Sequence, residues 1–68
     1  MTSRAHEAAS AQRLSSTQSL SAGSLVRNPV TERWYKVLKV LDHFYVRAED
    51  LLDGKRMKIC VWDIDRWG

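Results

Sequence analysis

The sequence predicts a mainly β fold: a small barrel of about five strands over residues 24–68, behind a disordered polar leader at 1–23. Three observations carry this. All six aromatic residues, Trp34, Tyr35, Phe44, Tyr45, Trp62 and Trp67, lie between residues 34 and 67. Residues 30–46 are crowded with β-branched and aromatic types, which favour strands over helices. Finally, Asp53-Gly54 sits between apolar stretches, a hairpin signal that rests on residues able to adopt positive φ.

Residues 2–24 are Ser, Ala, Thr and Gln with Leu14 and Leu20 as the only large apolar residues. Such a segment buries too little area to offset its ordering entropy. It is expected to be mobile and dispensable for folding, with a transient helix on the alanines of 4–14. After Gly23 the texture changes. A first strand is expected at 24–28, closed by the turn signal Asn28-Pro29. The second spans 34–41. A bulge near Leu38-Lys39 would turn Tyr35, Val37 and Val40 inward and leave Lys36 and Lys39 outside. Asp42-His43 is a tight connection to a third strand at 44–50. Past a two-residue Asp53-Gly54 turn, the fourth runs over 56–62. Alternation there puts Met57, Ile59 and Val61 on one face and Lys58, Cys60 and Trp62 on the other. Residues 63–67 form a short 3-10 turn or a final strand. The expected core is Val37, Val46, Ile59, Val61 and Ile64.

A competing pattern runs through the same residues. Val30, Trp34, Val37, Leu41, Phe44, Ala48 and Leu51 recur at heptad spacing between Asn28-Pro29 and Gly54. This describes an α+β alternative, one long amphipathic helix over 29–53 followed by a C-terminal strand. Residue type favours the strands.

The net charge of +3 is unevenly informative. Residues 29–68 hold eight Lys or Arg against seven acids, so the folded part is nearly neutral. Nucleic-acid binding therefore requires Lys36, Lys39, Lys55, Arg56 and Lys58 to gather on one face. Cys60 is the sole cysteine, so no disulfide forms within the chain and a reducing, cytoplasmic setting is the simpler expectation. No apolar run reaches the roughly 18–20 residues of a membrane span, and no secretory signal is expected.

The run Gly23-Ser24-Leu25-Val26-Arg27, the stretch Trp34-Tyr35-Lys36-Val37, the Asp53-Gly54 hairpin and the closing Asp63-Ile64-Asp65 together resemble SH3-like small barrels, the group that includes KOW and Tudor modules. The resemblance covers 23–68 and implies the architecture without choosing among RNA, DNA and protein ligands. A fainter layout, Val26-Arg27, Phe44-Tyr45-Val46, Gly54 and Val61 to Arg66, is similar to plasmid- and integron-borne type II dihydrofolate reductases. Their Val-Gln-Ile-Tyr stretch, which touches cofactor and folate, has no match in Arg56-Met57-Lys58-Ile59 or in Met57-Lys58-Ile59-Cys60. That likeness implies a shared fold and a mobile-element origin, without reductase activity.

The chemical inventory points away from an enzyme. Asp63 and Asp65 supply too few oxygens for a hard-cation site, and an acidic solvated turn explains them. His43 beside Asp42 has no nucleophile or cleft partner, and Cys60 reads as a packed strand residue. His6, His43 and Cys60 are scattered without metal-ligand spacing, and no Gly-rich phosphate loop is present. No metal or cofactor is expected. The leading expectation is a non-enzymatic module that binds RNA or DNA through Tyr35, Lys36, Lys39, Tyr45, Arg47, Lys55, Arg56, Lys58 and Trp62. The alternative is a protein-binding adaptor or inhibitor, phage-, plasmid- or integron-borne, using Trp62, Trp67 and a free strand edge. The third is a homo-oligomeric barrel with a small-molecule site.

Overall fold

A computed structural model describes residues 12–67. Six strands form one curled, all-antiparallel sheet, a small β half-barrel. The strands are β1 (Gln12–Arg13), β2 (Leu25–Arg27), β3 (Trp34–Val40), β4 (Tyr45–Asp50), β5 (Arg56–Cys60) and β6 (Asp65–Trp67). Their order across the sheet is β1-β6-β2-β3-β4-β5. One 3-10 turn, Val61–Asp63, joins β5 to β6, so the strand expected over 56–62 ends at Cys60 and the final strand expected within 63–67 is present as β6. No α-helix occurs among the described residues, which sets aside the long-helix alternative over 29–53. The heptad residues do not share a side: Val37 and Ala48 are buried, whereas Val30 and Leu51 are exposed.

Alternation explains the core. Val37, Val46, Ile59, Val61 and Ile64 are all buried as expected, joined by Leu20, Val26, Tyr35 and Ala48. The anticipated bulge in β3 is also present. Val37 pairs with Ala48, and the next pair is Lys39 with Arg47, leaving Leu38 as the extra residue. Without it, Lys39 would fall on the inward side of the pleat opposite Val46, because one residue of register reverses every side chain.

Two hairpin loops share one construction. Between β2 and β3, Asn28 and Arg33 flank a four-residue loop. Between β4 and β5, Asp50 and Lys55 flank another. The first flanking N–H donates to the second flanking carbonyl (Asn28 to Arg33, 2.9 Å; Asp50 to Lys55, 2.7 Å). The fourth loop N–H returns to the first carbonyl (Glu32 to Asn28, 2.7 Å; Gly54 to Asp50, 2.8 Å). A side-chain oxygen of the first flank also accepts from the second loop residue (Val30 to Asn28 Oδ1, 2.9 Å; Leu52 to Asp50 Oδ1, 2.8 Å). Both loops place their fourth residue in the left-handed region, Glu32 at φ 63° and Gly54 at φ 77°. The expected two-residue Asp53-Gly54 turn is thus corrected to a longer loop in which Gly54 alone has positive φ.

The boundary of the leader also moves. The expectations for residues 1–11, including most of the transient helix, lie outside the described residues. Residues 12–23, however, pack against the sheet. β1 pairs with β6, and the Thr17 N–H and hydroxyl donate to the carbonyls of His43 (2.8 Å) and Asp42 (2.6 Å). Thr17 and Leu20 are buried, and Leu14 packs on the core. A single buried leucine contributes about 1.5–3 kcal/mol, which a segment-wide composition does not register.

Leu20→Ala is expected to destabilise the protein by about 2–3 kcal/mol, read as a lower urea midpoint. A dispensable leader would leave the midpoint unchanged. Glu32→Gly relieves a left-handed non-glycine residue and loses only an exposed 3.8 Å ion pair with Arg27. It should raise stability by about 0.5–1 kcal/mol in the same assay.

Candidate binding surface

The outward residues of β3, β4 and β5 fall into rows because the three strands are in register. Lys36 lies opposite Glu49, and Glu49 opposite Arg56. In the next row Lys39 lies opposite Arg47, and Arg47 opposite Lys58. Tyr45 and Cys60 form the third row. All five cations are exposed, and Glu49 is the one acid among them. The near-neutral domain charge therefore conceals a segregated one. Among the described residues, the ion pairs are made by Arg27 and Arg33 with Glu32, Asp50 and Asp53, and none engages these five cations. Like charges directly opposite in a sheet destabilise it, so Arg47 between two lysines is an uncompensated arrangement within the fold.

Other expected site residues are placed differently. Tyr45 is exposed on the cationic face, with the Lys58 ammonium 4.7 Å from its ring centroid. Lys55 is exposed in the loop beside Arg56. Trp62 stands at the far end of the hairpin, 64% exposed. Tyr35 is buried at 6% exposure beside Val37, on the inward side expected from the bulge, and its place in the binding set is corrected: it belongs to the core.

Two features escaped the sequence reading. Phe44 joins Trp62, with ring centroids 5.2 Å apart, and His43 packs edge-on against Phe44 at 5.6 Å. At the opposite end, Asp50 is 1% exposed and joins the two hairpin loops. Its carboxylate accepts hydrogen bonds from the Leu52 N–H and from the guanidinium of Arg33, which also reaches Asp53 at 3.6 Å. The Leu52 N–H first, and Arg33 next, hold the Asp50 carboxyl below its ordinary value, while the hydrogen bond to Asp50 raises Arg33. Continuing the alternation of Val46 and Ala48 places Asp50 inward, which is the signal that could have found it. Beside this pair lies a groove of about 590 Å³ lined by Thr31, Glu32, Arg33, Trp34, Leu51 and Leu52.

Among the described residues, no three His, Cys, Asp or Glu side chains converge as metal ligands. Asp65 lies in register between Arg13 and Arg27, which balances its charge within the sheet. No described helix is long and apolar enough to cross a membrane. Comparisons with protein-family models, curated proteins and solved structures find no match to this chain.

The buried carboxylate sets a pH dependence. The folded pKa of Asp50 lies below its ordinary value of 3.8, so its stabilisation is complete above that value. It is lost as the pH falls through the folded pKa. Asp50→Asn is expected to unfold at lower urea than the parent at pH 7, with the gap closing below about pH 4. A gap that stays constant down to pH 2 would refute this role.

Proposed function

We propose that the protein is a non-enzymatic binding module, built on a small barrel of the SH3-like kind, that holds nucleic acid against the outer face of β3, β4 and β5. The observation that carries this is Arg47, bracketed in register by Lys39 and Lys58. Lys36 and Arg56 extend the same field over a second row, with Lys55 at its margin. A like-charged row costs stability in the free protein and becomes favourable when phosphates replace the counterions around it. RNA and DNA share that backbone chemistry. The charge lies on side chains rather than in a cleft, which suits an extended polyanion better than a small enclosed ligand.

A second reading rests on a separate observation. Val30 and Leu52 are 88% and 80% exposed at the tips of adjacent loops, beside the groove floored by Trp34. An adaptor or inhibitor would present such a surface to a protein, and its binding would depend little on salt.

The two are separated by fluorescence anisotropy with labelled RNA and DNA oligonucleotides, single-stranded and duplex, over a salt series. With five phosphate contacts, log K should fall with log salt at a slope of about −3.5 for single strands and about −4.5 for duplex DNA. Arg47→Glu converts the row to alternating charge. It should weaken binding about tenfold while raising urea stability by about 0.5–1 kcal/mol. Absence of salt-dependent binding at low ionic strength removes the nucleic-acid reading and leaves the protein partner.

A further inference from the structure

The outward positions of β5 continue beyond the cations. Arg56, Lys58 and Cys60 follow one another at two-residue steps, about 6.8 Å each, and the chain then turns to present Trp62. Trp62 is fixed in direction. Its indole N–H donates to the Ser15 carbonyl at 3.3 Å, and its ring leans on Phe44 at an interplanar angle of 51°. More than half of its surface nevertheless faces solvent. Tyr45 is different, because Lys58 already covers one face of its ring. Trp62 is thus the large aromatic platform left open at the end of the hairpin where β5 leaves the sheet.

Taking the nucleic-acid reading as its basis, we infer that the ligand is single-stranded and that Trp62, backed by Phe44, stacks one unpaired base. The phosphates leading away from that base would lie along Lys58, Arg47 and Arg56. A base within a duplex has both faces covered by its neighbours and cannot lie on a ring at the end of the sheet. An unpaired base can, and stacking of this kind is tolerant of base identity. Four strand steps of about 3.3 Å and two 3-10 steps of about 2 Å make the path from Arg56 to Trp62 on the order of 17 Å at most. That spans on the order of four nucleotides, at the short end of single-strand sites on small barrels. The cations supply a field indifferent to strandedness, and Trp62 supplies the discrimination.

The test uses the full chain with fluorescein-labelled oligouridylate and oligothymidylate of about eight nucleotides, against duplexes of similar charge. Anisotropy gives affinity, and quenching of tryptophan fluorescence reports stacking. Single strands should bind at least about tenfold more tightly than duplexes and quench the emission. Trp62→Ala should weaken single-strand binding by about five- to a hundredfold, abolish the quenching and leave duplex binding unchanged. Trp62→Phe, which keeps an aromatic ring at the site, should retain part of the preference, and it carries the test if the alanine variant fails to fold. Equal affinity for single strands and duplexes overturns the inference. So does unchanged single-strand binding in both variants, and if Arg47→Glu still weakens binding then the broader reading stands alone. Failure of both polymers to bind at low salt removes the two together.

Discussion

A buried carboxylate holds one end of this sheet together. Asp50 is the terminal residue of β4, and its side chain, N–H and carbonyl are all engaged, within its own loop and across to the neighbouring one. Its main chain closes the β4–β5 loop. Its side chain caps Leu52 and captures Arg33 from the loop between β2 and β3. A domain of this size with one cysteine has no disulfide to do this, and its hydrophobic core is small. The cost of burying the charge is offset only because hydrogen bonds and an opposite charge meet it in the fold. The Leu51 N–H bond to the Trp34 carbonyl, 2.9 Å, then holds the two loops side by side. The groove beside Trp34 exists because of that coupling.

A second constraint acts on the outer face. The extra residue at Leu38 restores the inward position of Val40 while keeping Lys39 outside, opposite Arg47. The same irregularity therefore serves the core and the charge field. A regular strand would have buried an ammonium or exposed a valine at these positions. The resulting row of like charges is tolerated because each side chain is long, exposed and free to spread into solvent. The stability it forgoes is modest beside what the core residues contribute.

Much of the architecture was legible because it is periodic. Alternation located Val37, Val46, Ile59, Val61 and Ile64 in the core, and strand propensity located the bulge. What escaped was non-local. Nothing near Thr17 in sequence indicates its bonds to Asp42 and His43, and Leu20 sits within a run of small polar residues. Composition averages over a segment, whereas burial is decided by one side chain finding a vacancy. The hairpin was misjudged for a related reason. Asp53-Gly54 is the sequence signal of a tight turn, but the Asp50 carboxylate rewards the longer loop by satisfying Leu52. On the surface, the cationic residues could be named from sequence, but their alignment required the register of three strands. Tyr35 shows the converse: its alternation with Val37 and Val40 already turned it inward, and only its aromatic type suggested a binding face.

β6 is held only by strands distant from it in sequence: residues 65–67 pair with 25–27 of β2, and residues 65–66 with 12–13 of β1. Pairing β6 with β2 confines residues 28–64 in one loop, so that seam is rewarded only after the β2 to β5 meander has formed, and β1 adds to β6 only after that. The seam is consequently the last part of the sheet to zip and the first to fray. Its opening also loosens the crossing segment that carries Thr17 and the Ser15 carbonyl, on which the orientation of Trp62 depends. Opening of the sheet there is thereby transmitted to the aromatic end of the surface and spares the rows of charge on β3, β4 and β5.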